Sequence, residues 1–334
     1  MVTSRVGLIL AALTAPLAAQ TPAPTARADT VPPASAVESP YVVAAPGIAL
    51  AGTLTLPRSA RGPVPVAVLI AGSGPTDRDG NSRLGIRTNT YAQLAWGLAA
   101  RGIASLRYDK RGIGASRGTL TAADFARATL DQYAGDVKAI ADTLRTDRRF
   151  SRVVLVGHSE GASLAVRAAN LGAAPAGVVS LAGIGRPFLA VLRGQLARQL
   201  DSATLALYDT SMAAYLAGRD PNVPASLGAL FAPVNREFMR SLAAFDPPAE
   251  IARVTCPVLI VQGDMDIQIA VEDADVLHHA RASAREVILP GDNHVFKRVT
   301  GRDPAAQRAA YTDLTEPVDP AFVAAVADWI LGLR

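Results

Sequence analysis

The stretch Gly157-His158-Ser159-Glu160-Gly161 places a serine between two glycines, directly after the apolar run 153–156 and directly before a stretch of helical character. That is the strand–turn–helix setting in which a serine hydroxyl is lifted above a sheet as a nucleophile. The glycines have a mechanical reason to be there. In so sharp a turn a Cβ at either flanking position would collide with the neighbouring strand or helix, and the serine backbone itself is strained. The helix that follows presents free backbone N–H groups and a positive dipole end, which favour the negative charge that develops during acyl transfer.

A serine hydroxyl needs a base, and histidine is the usual one because it titrates near neutrality. The chain has four. His158 lies inside the turn and is expected to point away from the reaction face. His278 and His279 fall in a predicted helix. His294, in "LPGDNHVF", lies in the loop after the last predicted strand, at the carboxyl edge where open sheets form their sites. A carboxylate at the same edge should hold the imidazole in the right tautomer. "VLIVQGDMDIQIA" offers Asp264 and Asp266, and the residues by themselves leave both open, Asp264 having the other role of capping the turn through backbone amides. Two N–H groups must face the oxyanion. One is the amide of Glu160, and the other is expected from "AGSGPTDRDGN", with Ser73 the best-placed donor. The Gly72-x-Gly74 pair in that loop stops at Pro75 and has no nucleotide-binding continuation.

These residues need elements to position them. Short apolar runs recur at 66–70, 103–106, 153–156, 178–181, 258–261 and 287–289, as strands buried on both faces of a parallel sheet require. Amphipathic stretches of helical length lie between or after them at 91–101, 131–145, 162–170, 271–280 and 320–333. The alternation predicts an α/β fold with a mostly parallel, doubly wound sheet and right-handed crossovers. "GIALAGTLTLP" alternates like a half-buried strand and is expected to form an antiparallel edge pair with residues near 41–44. Between Leu181 and Val258 no strand is predicted. Leu and Ala recur there at helical spacing, so about 186–250 is expected to be a helical cap insertion.

The 334 residues, half of them hydrophobic, suffice for a large core and exclude a wholly disordered chain. Net charge is +4 with the basic residues scattered, so no stripe marks a nucleic-acid partner. Residues 1–20 have a basic Arg5, an apolar run at 6–13 and the small pair Ala18-Ala19, the layout of a cleaved signal peptide. Residues 21–40, rich in Pro and Ala, read as a disordered linker, which leaves 41–334 as the folded domain. Export to the periplasm or the extracellular space is the corresponding expectation, with no membrane span after cleavage. A single cysteine, Cys256, excludes an internal disulfide, and the chain lacks H-E-x-x-H or Cys/His metal spacing, so no metal and no cofactor is expected.

"GSGPTDRDGN", "RYDKRGIGAS", "VGHSEGA", "VLIVQGDMD" and "GDNH" together resemble the α/β hydrolases of the serine aminopeptidase-like group, many of whose members are bacterial esterases. The resemblance covers nearly all of 42–334. It implies the α/β-hydrolase fold and a catalytic set in the chain order Ser159, Asp266, His294. It also prefers Asp266 to Asp264, because the acid commonly lies three residues after the strand-ending glycine, here Gly263. Two positions depart from the pattern. Ala71 stands where many relatives carry His, and Glu160 replaces the more usual Gln, Leu or Met. Glu160 is expected either to pair with Arg78 or Arg111 or to favour the helix N-terminus.

The resulting expectation is a serine hydrolase that cleaves small-molecule carboxylic esters of short to medium acyl chain through an acyl-enzyme. Activity should fall in acid as His294 takes up a proton. Leu192, Leu196, Phe231, Phe238 and Met239 of the cap are candidates to line an acyl site. The alternatives are a peptidase or amidase using the same three groups, and a non-catalytic binding protein on a hydrolase scaffold.

Overall fold

Five of the six apolar runs become inner strands, and the sixth, 287–289, becomes a partly exposed edge strand, of one eight-stranded sheet in a computed structural model that describes residues 30–118 and 120–334. The expected signal peptide lies outside the described residues. The sheet strands are β1 (Ala36–Ala45), β2 (Ile48–Pro57), β3 (Val64–Ile70), β6 (Ala104–Tyr108), β7 (Phe150–His158), β8 (Gly177–Leu181), β9 (Val258–Gly263) and β10 (Arg285–Leu289). A two-stranded ribbon, β4 (Asn81–Ser82) with β5 (Ile86–Arg87), stands apart. The order across the large sheet is β1-β2-β6-β3-β7-β8-β9-β10. β2 is antiparallel to both its neighbours, and every pairing from β6 to β10 is parallel.

Alternation along the inner strands sends side chains to two separate cores. In β3, Val66, Val68 and Ile70 join Leu155 of β7 and face Val137, Ile140 and Leu164, from the helices Leu130–Thr146 and Glu160–Ala168. Ala67 and Leu69 join Val154 and Val156 and face Leu94, Phe322 and Val326, from the helices Thr90–Ala100 and Pro320–Gly332. Full burial on both faces is why these runs carry no polar period, and each Val, Leu or Ile so buried contributes about 1.5–3 kcal/mol.

The edge pair is longer than its alternation indicates. β1 starts at Ala36 and pairs with β2 from Ala36↔Pro57 to Ala45↔Ile48, so residues 36–40 are strand and not linker. Glu38 explains the extension. Its carboxylate accepts from Arg107, Thr55 and the Trp96 indole, bonds that only an ordered strand can hold in place.

Among the described residues no strand lies between β8 and β9. The helices Phe188–Leu196, Ser202–Leu216, Ala225–Gly228 and Arg236–Ala243 fill the interval. They enclose a core of their own that includes Leu196, Tyr208, Tyr215, Phe231 and Met239. The cap therefore holds itself together and is not merely draped on the sheet. Four loops meet at the carboxyl edge of the sheet, after β3, β7, β9 and β10, and these carry Ser73, Ser159, Asp266 and His294.

Candidate active site

Ser159 sits at the end of β7 with φ 55° and ψ −119°, a conformation that L residues rarely adopt. The surroundings leave it no alternative. Its amide donates to Leu181 O at 2.8 Å, and the helix Glu160–Ala168 starts at once. A Cβ on Gly157 would lie 2.0 Å from Gly161 O, and one on Gly161 would lie 2.2 Å from Ile70 O. Both flanking glycines are therefore sterically required, and the turn is wedged against β3.

Asp266 and His294 are brought together. His294 Nδ1 lies 2.7 Å from Asp266 Oδ2, and both residues are buried. Asp266 is saturated with donors, its Oδ1 accepting from the amides of Gln268 (2.6 Å) and Ile269 (3.0 Å) and its Oδ2 from Gln262 Nε2 (3.0 Å). Burial pushes this carboxyl up, but His294 and the amide donors outweigh burial and hold it below the usual carboxylate range. The ionised acid keeps the proton on Nδ1 and leaves Nε2 as the acceptor. Ser159 and His294 line the same cavity, and no hydrogen bond joins the two side chains. Asp264 accepts from the Gly291 amide at 2.7 Å and so caps the turn.

His158 does not point away. Its ring is buried beside that of His294, with 4.7 Å between ring centroids. Nε2 lies 2.8 Å from His294 O, which can only accept, so Nε2 carries the proton. Nδ1 then accepts from the Tyr91 hydroxyl at 2.7 Å, and Tyr91 in turn accepts from the Gly72 amide at 3.0 Å. Burial, and then the neighbouring His294, push His158 down to about 3, so it stays neutral. One continuous chain of bonds ties the Gly72 loop to the His294 loop through the turn between them. The alternation of β7 could have signalled that His158 faces inward, but nothing local points to Tyr91.

The charged run after β6 clamps the same loop. Lys110 Nζ donates to Gly72 O at 2.5 Å and to Glu160 Oε1 at 2.8 Å, so the partner of Glu160 is Lys110 and neither Arg78 nor Arg111. Arg78 pairs with Asp109 at 2.7 Å, and Arg111 with Asp136 at 2.6 Å. The reason is direction along a loop, since a shift of one residue there re-aims the cation. With the Gly72 amide committed to Tyr91, the next amide in the loop is that of Ser73. Among the described residues, the amides of Ser73 and Glu160 have no hydrogen-bond partner.

The loop of His294 is shaped by Asn293, whose Oδ1 accepts from the amides of Val295 and Lys297, both at 3.1 Å. Beneath it lies Asp292, wholly buried, with no donor to either carboxylate oxygen among the described residues. Burial, reinforced by Asp319, pushes its acid up to about 8, with Asp264 adding to the effect and Arg298 opposing it. At neutral pH Asp292 is thus a neutral acid.

Two cavities flank Ser159 and share Ser73 and Gln268. One, of about 420 Å³, includes Ile86, Thr88, Tyr91, His158 and His294 in its wall. The other, of about 520 Å³, lies beneath the cap and includes Glu160, Ser163, Phe188 and Leu192. Of the five cap residues expected to line an acyl site, only Leu192 lines either cavity. Leu196, Phe231 and Met239 pack in the cap's own core, and Phe238 packs edge-on against Tyr133.

A sequence model of the family described as "Serine aminopeptidase, S33" matches residues 81–294, a span that holds Ser159, Asp266 and His294. Over 229 residues the chain is 30% identical to esterase EstD of Thermotoga maritima, covering 68% of this chain and 52% of that protein. The chain thus spans about half the length of this curated relative. Among solved structures it is similar to Est1E from Butyrivibrio proteoclasticus bound to ferulic acid, with a TM-score of 0.56 at 20% identity over 88% of this chain and 98% of that one. The proline iminopeptidase of Mycobacterium smegmatis gives a TM-score of 0.56 at 18% identity, with 88% and 98% covered. These two likenesses establish the fold.

Lys110→Met removes the donor to Gly72 O and leaves Glu160 uncompensated, so kcat should fall roughly 10–100-fold with a much smaller change in KM. An unchanged kcat, measured on folded protein, would reduce the pair to a helix-end contact. For Asp292 the sign follows from a raised acid: its stability contribution is present below about pH 4 and is lost as pH rises towards 8. Asp292→Asn should therefore gain thermal stability relative to wild type at pH 8–9, with the gain shrinking towards pH 4. Parallel melting curves across that range would refute a protonated Asp292.

Proposed function

The chain belongs to the serine aminopeptidase, S33, family within the α/β-hydrolase superfamily, and from that premise we propose that it is a carboxylic ester hydrolase working through an acyl-enzyme. The observation that carries this reading is the 2.7 Å bond from Asp266 to His294, at a cavity that the strained Ser159 also lines. Ser159 Oγ attacks the ester carbonyl carbon while His294 Nε2 takes its proton. The tetrahedral oxyanion faces the amides of Ser73 and Glu160. Collapse breaks the bond to the alcohol oxygen, which receives the proton from His294, and water then repeats the sequence to release the acid and restore Ser159.

Ester cleavage is favoured over peptide cleavage by the charges around Ser159. A site that selects a free amino terminus needs an unpaired carboxylate, and among the described residues Glu160 is the only acidic side chain in either cavity wall. Its charge is met by Lys110. Apolar side chains under the cap suit a short or medium acyl chain. The peptidase reading is the alternative suggested by the family description and by the fold of the iminopeptidase. We also propose that the chain is exported, on the composition of residues 1–20.

The test is hydrolysis of p-nitrophenyl esters from acetate to palmitate, set beside amino-acid anilides. Short and medium esters should be cleaved. Ser159→Ala should lose on the order of 10⁶ in kcat and Asp266→Asn about 10⁴. Undiminished hydrolysis by Ser159→Ala, or cleavage of anilides in place of esters, would overturn the proposal.

A further inference from the structure

We infer that Gln195 and Arg198 of the cap are positioning residues for Asp266, acting through two peptide units of the loop after β9. This rests on the ester-hydrolase reading, in which Asp266 orients His294, and goes beyond it by making the cap a support of the acid. Asp266 Oδ1 accepts from the amides of Gln268 at 2.6 Å and Ile269 at 3.0 Å. The carbonyls of those same two peptide units, Ile267 O and Gln268 O, are bonded from the cap. Gln195 Nε2 donates to Gln268 O at 3.1 Å, and Arg198 Nη1 donates to Ile267 O. In a trans peptide the N–H and C=O lie in one plane and point in opposite directions, so a donor on the oxygen fixes the direction of the N–H. The cap therefore holds one end of each unit and Asp266 the other. A donor on the carbonyl also polarises the unit and strengthens its N–H as a donor. Both amide bonds help to hold Asp266 below the usual carboxylate range, so the grip of the cap reaches the charge that faces His294.

The far end of the same loop is pinned to the cap as well. Asp273, in the first turn of the helix Val271–Ala280, accepts at Oδ1 from the amides of Gly185 at 2.9 Å and Arg186 at 3.0 Å, where the chain enters the cap. Its Oδ2 pairs with the Arg186 guanidinium at 2.6 Å. A Cβ on Gly185 would lie 2.0 Å from Asp273 O, so this approach excludes a side chain. Leu192 and Leu196, on the helix that carries Gln195, belong to the cap's own core, so the grip on the loop is made by one packed body. Gln195 is buried and Arg198 is exposed, which gives Gln195 the larger share.

Gln195→Met keeps most of the side-chain bulk and removes the donor. In the double variant Gln195→Met, Arg198→Met, judged folded by its thermal melt, kcat for p-nitrophenyl butyrate should fall about 10–100-fold with little change in KM. Hydrogen exchange at the amides of Gln268 and Ile269 should quicken about ten-fold or more. Arg198→Lys keeps a cationic donor and should retain more of the rate than Arg198→Met. Arg193→Met, which breaks a pair with Asp209 inside the cap, should leave both readouts at wild-type values. In an Asp266→Asn background Gln195→Met should cost kcat nothing further, because its effect runs through Asp266. An unchanged kcat or unchanged exchange in the double variant, an equal loss in Arg193→Met, or a full additional loss in the Asp266→Asn background would overturn the inference. A folded wild type that cleaves no ester would instead refute the ester reading, and unchanged exchange at the two amides would overturn the inference even then.

Discussion

The bond between Asp266 and His294 joins loops that follow two different strands, and it keeps its geometry only because each loop is fixed by bonds of its own. Asp266 is locked by two amides and by the Gln262 side chain. His294 is locked by the Asn293 turn and by a backbone carbonyl that accepts from His158. The parallel register of β9 with β10 brings the two loops out side by side at the sheet edge. Ser159 reaches the same place by a different device, a strained turn that the glycines at 157 and 161 permit and that the helix after it holds. Strain of this kind persists only where the surroundings over-determine it, and here they do.

The loop after β3 is held in a third way, by charge. Arg107 near the end of β6, and Asp109 and Lys110 just after it, are each buried. Lys110 holds Gly72 and Glu160, Asp109 holds Arg78, and Arg107 holds both Glu38 and Asp79. A buried ion pair adds little net stability over an apolar replacement, but losing one partner costs about 3–5 kcal/mol because the other charge is stranded. Such pairs therefore specify one arrangement of the loop. The neutral chain of Gly72, Tyr91, His158 and His294 fixes the loop from its other side.

What could be read from the residues divides along physical lines. The inner strands were legible because burial on both faces writes a continuous apolar run, and the helix Leu130–Thr146 because its period is regular. The turn at Ser159, and the loops that bring Asp266 and His294 to one edge, were legible because steric and tautomeric demands limit which residue types can serve. Features that depend on contacts between distant segments were not. The partner of Glu160 is one residue away from an expected candidate, Tyr91 lies 67 positions before His158, and β1 extends because Glu38 meets Arg107 across the sheet. The helix Pro304–Thr312, in which Ala and polar residues leave a weak apolar stripe, is stabilised by its Asp303 cap and by Tyr311, buried in a cluster with Val295.

The central claim is that Ser159 becomes covalently acylated with His294 as its base. The direct measurement is intact-protein and peptide mass spectrometry after reaction with p-nitrophenyl butyrate, quenched early, on wild type, Ser159→Ala and His294→Ala. The account predicts one butyryl group on the peptide that holds Ser159 in the wild type, and none in either variant on the same timescale. A butyryl group on another residue, or wild-type turnover with no acylated Ser159 at any quench time, would contradict it.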